Sequence, residues 1–301
     1  MKSERSNSWH PRHWPFYLGL SLLWLLAKLP LSSWSSICKV IGAVLQAIVP
    51  SRRRVVLRNL ALAFPERDQI WHQSTCKKSY RALALSLLET SKLWFSEPSW
   101  LDDYVQFEGL HHLQTLQASG EAVILLSCHY TAIEVAGAAL CRVAPFYPVY
   151  AAAKNEAFDQ FQIDKRKRFA PDVVLRSDMR KAMRVLRDGG TLWLLPDQAV
   201  GRSHGAVPTL FFGQAVMSST GPARLQRRSD AHMVVFELKR QGGKLLLTVQ
   251  PPLEMGLDSD PAEQAQSLNH IFEQMIQRSP AEYFWHHKRF KSGQPSVNPY
   301  A

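Results

Sequence analysis

Cysteine is scarce and unpatterned in this 301-residue chain. Cys38, Cys76, Cys128 and Cys141 form no CxxC pair and keep no metal-ligand spacing, which argues against a zinc site or a disulfide framework. They fit reduced, mostly buried thiols in a body that stays in the cytosol. HExxH is absent, and the histidine pairs 111–112 and 286–287 lack ligand spacing, so no metal is expected. There is no internal repeat, no low-complexity tract, and no zinc-finger, ribonucleoprotein or recognition-helix pattern, so nucleic acid is not an expected partner. Acidic residues are also short, with 25 Asp and Glu against 36 Lys and Arg. The resulting net charge of +11 suits an anionic bilayer surface or a phosphorylated ligand.

Long uncharged apolar runs are missing too. The best is Trp14 to Ala27 in "WPFYLGLSLLWLLAKLP", short of the roughly 20 residues an ideal span needs. Snorkelling of Lys28 would extend it towards Trp34. It has no small-residue cleavage site and is not a removable signal peptide. "ICKVIGAVLQAIVP" follows and gives way to "SRRRVVLR". Tryptophans 9, 14, 24 and 34 with Arg52, Arg53 and Arg54 suit a membrane interface. Residues 1–50 are therefore expected to form a membrane-associated helical segment, transmembrane or interfacial, and residues 51–301 a separate body. Basic residues flank both sides, so charge sets no orientation.

Beyond residue 51 helices and strands alternate. Residues 52–100 read as helical, and "YVQFEGL" (104–110) as a short strand. "AVILLS" (122–127) and "TLWLLPD" (191–197) are continuous apolar runs, the pattern of strands buried on both faces. "FYPVYAA" (146–152) is a further strand. "HMVVFELKR" and "KLLLTVQ" flank Gln241-Gly242-Gly243, a hairpin signal. "PAEQAQSLNHIFEQMIQRS" is an amphipathic helix opened by Asp260 and Pro261. The expected fold is α/β, a mixed central sheet flanked by helices, with working residues at the carboxyl ends of strands.

His129 and Asp197 sit at such ends, each just past a doubly buried run. Glu134 follows His129 by five positions. Inside one helix the two would point about 140° apart, so the pair needs His129 in the preceding turn. A carboxylate on one imidazole nitrogen fixes the tautomer and raises the basicity of the other, which equips the ring to take a proton from a hydroxyl. Asp197 has three readings: an anchor for Arg168, an anchor for His129, or a cap for the next turn. Cys128 reads as core rather than nucleophile.

His129 and Glu134 match the HX4D/E motif of the glycerolipid acyltransferase superfamily. The chain resembles its lipid A late acyltransferase branch along almost its whole length. "RRVVLRNLALAFPE" (53–66), "KNEAFDQFQIDKRKRF" (154–169), "DGGTLWLLPDQAVG" (188–201), "LFFGQAVMSSTGPARL" (210–225) and "SPAEYFWHHKRFK" (279–291) are similar to family blocks and fall in the family's order. Three positions depart from the pattern. Ala151 replaces an arginine, Glu156 a proline, and Ala199 the second aspartate of Pro-Asp-x-Asp.

The resemblance implies a glycerolipid-acyltransferase-like fold, with residues 51–301 as the catalytic domain facing the cytoplasm at a bacterial inner membrane. It implies an acyl thioester donor, acyl carrier protein or acyl-CoA, and a phosphorylated lipid acceptor on an anionic membrane, with no cofactor. His129 would be the general base with Glu134 as its partner. Arg166 or Arg168 would face the thioester carbonyl and its oxyanion, with Asp197 and Asn155 in support. Phe211, Phe212, Thr220 and Arg289 would line an acyl channel or acceptor site, although a stripe such as Phe211 and Phe212 is more often plain core. Alanine at 151 and 199 leaves the acceptor open among lipid A precursors and other lipids such as a lysophospholipid, glycerol phosphate or an aminolipid. A non-catalytic membrane lipid-binding protein is the reading of a different class.

Overall fold

The computed structural model describes residues 14–201, 205–256, 260–293 and 298–300. Trp9 and the first part of the expected 1–50 segment lie outside them. In chain order the helices and strands begin with α1 (Trp14–Ala27), α2 (Trp34–Ile48), α3 (Pro50–Ala63), α4 (Gln69–Phe95) and α5 (Trp100–Tyr104). An alternating stretch follows: β1 (Val105–Glu108), α6 (Leu110–Ala118), β2 (Val123–Leu126), α7 (Ile133–Val143), β3 (Tyr147–Tyr150) and α8 (Glu156–Arg166). It continues through β4 (Val174–Leu175), α9 (Met179–Arg187) and β5 (Thr191–Leu194). A hairpin of β6 (Ala206–Phe211) and β7 (Gln214–Ser219) leads to α10 (Gly221–Ser229), β8 (His232–Gln241), β9 (Lys244–Val249) and α11 (Pro261–Arg278).

Seven strands make one mixed sheet in the order β1-β9-β8-β2-β5-β3-β4. All neighbours pair in parallel except β8 and β9, which form the antiparallel hairpin expected around Gly242 and Gly243. β2 lies between β8 and β5, and all four of its side chains are buried, as a strand covered by helices on both faces must be. The register between β2 and β5 pairs Leu126 with Leu194, so the two chains leave the sheet side by side.

The β6–β7 hairpin stands apart from this sheet and was not foreseen as strands. Its turn is made by Phe212 (φ 50°) and Gly213 (φ 70°), a left-handed pair that joins antiparallel strands without the usual Asn-Gly signal. Asn269 of α11 fastens it, donating to Thr209 Oγ1 at 3.0 Å and to the Leu210 carbonyl at 2.9 Å.

α1 and α2 pack against α4 along one side each. Trp34, Cys38 and Gly42 of α2 are buried, and Trp34 and Cys38 belong to the main hydrophobic core. A Cβ at Gly42 would stand 3.1 Å from the Arg81 backbone, so this helix crossing depends on glycine. The outer faces stay apolar and bare: Leu18, Leu22, Trp24 and Leu25 on α1, and Val40, Val44 and Ile48 on α2. The segment Leu31–Ile48 is long and apolar enough to cross a membrane, with mean hydropathy 1.3 and 17% of it buried, and Phe16–Ala27 is a shorter apolar helix.

The 280s segment closes the core with Trp285 fully buried and His286 7% exposed. The His286 ring meets Tyr80 edge-on at 4.8 Å, and neither ring nitrogen has a hydrogen-bond partner among the described residues. Burial, and secondarily the Arg52 charge, lower this histidine from 6.5 to about 4. Between these values the unfolded chain takes up a proton that the folded chain refuses, so stability falls as pH drops from 6.5 to about 4. The loss from this one group is about 3 kcal/mol. Replacing it as His286→Phe should shrink the stability difference between pH 7 and pH 4 by about that amount, read by urea unfolding in detergent. Equal pH slopes for both proteins would contradict the assignment.

Candidate active site

His129 and Asp197 each lie three residues beyond the Leu126–Leu194 pair, and the register brings them together across 68 positions of sequence. His129 Nδ1 is 2.6 Å from Asp197 Oδ1, and the His129 amide donates to Asp197 Oδ2 at 3.0 Å. Asp197 is fully buried. Burial opposes its charge, but the His129 ring, the His129 amide and the Tyr283 hydroxyl outweigh that and hold the carboxyl below its ordinary value. An ionised Asp197 makes Nδ1 the protonated nitrogen, which leaves Nε2 to accept a proton from a ligand.

The His129 loop is fixed from the other side as well. Its carbonyl accepts from the Phe284 amide at 2.8 Å, Tyr130 bridges to Tyr283, and the Thr131 amide donates to the Glu282 carbonyl at 2.8 Å. Behind it lies a buried charge network. Arg240 binds Glu89 through Nη2 at 2.6 Å and Nε at 3.2 Å, pairs with Glu282, and donates to Thr131 Oγ1 at 3.2 Å. Tyr104 completes it with a 2.5 Å bond to Glu89. Burial penalises the Arg240 charge, and Glu89 and Glu282 more than restore it.

Glu134 does not orient His129; Asp197 does. Glu134 sits in the first turn of α7 and takes Arg166 as a fork, Nε to Oε1 at 3.0 Å and Nη2 to Oε2 at 2.8 Å. The reason is local: the clamped loop turns the His129 ring towards β5, while α7 aims Glu134 at α8. A planar guanidinium satisfies both carboxylate oxygens, which one imidazole nitrogen cannot do. Burial opposes the Arg166 charge, and Glu134 lifts that guanidinium above its ordinary value. With Nε and Nη2 engaged, Nη1 remains for a ligand.

His129, Glu134 and Arg166 line one cleft of about 430 Å3, with Tyr150, Gln162 and Gln198. Its other walls are largely apolar, from Ile133, Val149, Leu175, Leu192, Leu194 and Leu225, with Arg176 and Ser219 among them. Ala151 and Ala199 also face it. A smaller apolar pocket of about 30 Å3 lies beside the Glu134–Arg166 pair, lined in part by Leu93, Trp94, Phe146, Phe169 and Trp193. Gly137 allows it: a Cβ there would stand 2.7 Å from the Trp193 ring. Among the described residues no three His, Cys, Asp or Glu side chains converge as metal ligands.

The remaining candidates fall outside the cleft. Arg168 Nη1 donates to the Trp94 carbonyl at 3.1 Å and lies over Phe169, so of the two arginines only Arg166 reaches the cleft. Asn155 caps α8 by accepting from the Phe158 amide at 3.0 Å. Phe211 is fully buried under the Arg289 guanidinium at 4.9 Å, and Phe212 packs on Phe64 and Trp285. Thr220 donates to the Gly205 carbonyl at 2.6 Å. Arg289, 1% exposed, donates to the Met217 carbonyl at 3.2 Å and to Ser218 Oγ at 3.1 Å. These four residues fasten the β6–β7 hairpin and the chain beside it to the core, and none of them lines the cleft. Cys128 is fully buried, and desolvation pushes its thiol well above the ordinary range, which unsuits it as a nucleophile.

The His129–Asp197 pair and the Glu134–Arg166 fork thus meet at one cleft. The comparisons name the class. The family model for bacterial lipid A biosynthesis acyltransferases matches residues 1–292, and the chain belongs to that family. It is an acyltransferase. The lipid A biosynthesis palmitoleoyltransferase of Escherichia coli (strain K12) is 29% identical over 94% of this chain and 93% of that protein. The lauroyltransferase of the same organism is 28% identical over 94% and 93%, and its myristoyltransferase 25% over 97% and 91%.

The Glu134–Arg166 pair is partly exposed, with side-chain exposures of 21% and 25%, so it should contribute about 1–2 kcal/mol, between surface and buried pairs. A double-mutant cycle of Glu134→Gln and Arg166→Gln, read by unfolding, should return that coupling. Additive effects would contradict the fork.

Proposed function

We propose that this protein moves a fatty acyl group from a thioester, carried by acyl carrier protein or coenzyme A, to a hydroxyl of a lipid A precursor. The observation that carries the reading is the His129–Asp197 pair at the mouth of an apolar cleft. His129 Nε2 takes the hydroxyl proton as the oxygen attacks the thioester carbonyl. The new C–O bond forms, and the carbonyl electron pair becomes an oxyanion that Arg166 Nη1 stabilises. Collapse breaks the C–S bond, and the departing thiolate recovers the proton from His129. Asp197 holds the productive tautomer and balances the imidazolium charge. Glu134 acts through Arg166, fixing the angle at which the guanidinium meets the carbonyl.

Residues 1–50 are the proposed membrane anchor and residues 51–301 the catalytic domain. The bare outer faces of α1 and α2, opposite the faces packed on α4, support an anchor lying in the bilayer interface. The proposed setting is a bacterial inner membrane, with the catalytic domain on the cytoplasmic side where thioester donors are made.

A second acceptor reading has its own observation: Ala151 and Ala199 both line the cleft. The resemblance puts an arginine and an aspartate at these positions, so alanine at both removes one charge of each sign, and the alternative acceptor is another lipid such as a lysophospholipid, glycerol phosphate or an aminolipid.

Full-length protein in detergent, given radiolabelled acyl thioester and a panel of lipids, tests both readings. Label should enter a lipid A precursor, with kcat lowered about 10^3–10^4-fold by Asp197→Asn as the wrong tautomer is released. His129→Ala should remove transfer altogether. Label entering only another lipid would move the acceptor, and no transfer from either thioester would overturn the proposal.

A further inference from the structure

The buried charge network behind the His129 loop converges on one residue. Thr131 lies in the chain between His129 and Glu134 and is buried. Each of its polar groups has a partner. The amide donates to the Glu282 carbonyl at 2.8 Å, and the carbonyl accepts from the Ser86 hydroxyl. The hydroxyl donates to Glu282 Oε2 at 3.3 Å and accepts from Arg240 Nη1 at 3.2 Å.

The sheet register brings Arg240 to this point. β8 runs parallel to β2 with Val235 beside Leu126, and it continues past the end of β2 as far as Gln241. The overshooting end of β8 therefore stands beside the loop that β2 leads into. There the Arg240 guanidinium forks onto both oxygens of Glu89, Nη2 to Oε2 at 2.6 Å and Nε to Oε1 at 3.2 Å. Nη1 is left for Glu282 and Thr131. Ser86 and Glu89 are three residues apart on α4 and share a helix face. One face of α4 thus grips Thr131 twice, directly through Ser86 and indirectly through Arg240.

Stability is a weak reason for such a network. Glu89 is fully buried, and the Arg240 and Glu282 side chains are 12% and 15% exposed. Charges buried to this degree gain little over apolar side chains of similar volume, because desolvation offsets their attraction. A planar guanidinium supplies fixed angles instead.

We infer that Thr131 and Arg240 are positioning residues for acyl transfer: α4 holds Thr131 through Arg240, and Thr131 holds the backbone that presents His129 Nε2 to the acceptor hydroxyl. The inference rests on the reading of His129 as the base. Neither residue lines the cleft, so their effect falls on kcat and not on KM.

The test uses full-length protein in detergent. Thr131→Val keeps the branched shape and removes the hydroxyl, while Arg240 stays paired with Glu89 and Glu282. Arg240→Lys keeps the charge and loses the fork. Leu113→Ala, at a fully buried position of α6 outside the cleft and the network, is the control for lost stability alone. Thr131→Val and Arg240→Lys should each lower kcat about tenfold with KM within about twofold. The double variant should lose no more than Arg240→Lys alone, because both cut one connection. The far-downfield Nδ1 proton resonance of His129, read by NMR with 15N-labelled histidine, should shift or broaden in both. Leu113→Ala should lower the urea midpoint and leave kcat and the resonance in place. An unchanged kcat and resonance in Thr131→Val, or multiplied effects in the double variant, would overturn the inference. So would an equal loss of kcat in Leu113→Ala, which would reduce the effect to stability. Should Arg240→Lys fail to fold, Thr131→Val decides alone. A natural protein that transfers no acyl group sinks the reading of the base, and the resonance then decides whether the network holds the His129 ring.

Discussion

The pairing of β2 with β5 is the constraint on which the active site depends. Two short strands, each too apolar to sit anywhere but the centre of the sheet, run parallel in a register that matches Leu126 with Leu194. The chains then leave the sheet in step, and the third residue of each exit is His129 or Asp197. A slip of one residue would turn every side chain of the strand to the opposite face and separate the pair. His129 is therefore placed by the full burial of β2 and the partial burial of β5, and hydrogen bonds only trim its orientation. This is the strand-end placement that α/β sheets use repeatedly, here applied to two neighbouring strands at once.

Around that pair the protein keeps four carboxylates out of water or nearly so, and each has an assigned partner, Glu282 sharing Arg240 with Glu89. Asp197 is met by the His129 ring and amide, Glu134 by Arg166, and Glu89 by Arg240 and Tyr104. Unpaired, each would carry a desolvation cost of several kcal/mol. Paired, they join elements distant in sequence. Arg240 links α4, the end of β8 and the 280s segment to Thr131, which lies between the proposed base and Glu134. The His129 loop is thus held through its backbone by the 280s segment and through its ring by Asp197 just past β5, while Arg166 is held separately from α7. The imidazole of His129 and the guanidinium of Arg166 thus rest on different supports.

Most of the architecture was legible in the chain. Continuous apolar runs marked β2 and β5, the Gly-Gly step marked the β8–β9 hairpin, and Asp260-Pro261 marked the start of α11, because each signal is local. The partner of His129 was not, since the spacing of five positions to Glu134 is visible in sequence and the register across 68 positions is not. Asp197 stood out only as one residue with three readings. The β6–β7 hairpin was missed because its turn uses Phe212 and Gly213 with apolar flanks that look like core or channel. Arg289 misled for a related reason. A basic residue near the C-terminus looks like a surface ligand until a structure shows its guanidinium under the hairpin, bound to a backbone carbonyl.

The central claim is that Asp197, and not Glu134, is the carboxylate on the imidazole of the base. It is tested most directly by proton NMR of full-length protein carrying 15N-labelled histidine, in which a strongly hydrogen-bonded Nδ1 proton gives a far-downfield resonance. The resonance is assigned by its loss in His129→Ala. It should then survive Glu134→Gln and disappear, or move sharply upfield, in Asp197→Asn. Survival in Asp197→Asn with loss in Glu134→Gln would contradict the account and return the base to the carboxylate nearest in sequence.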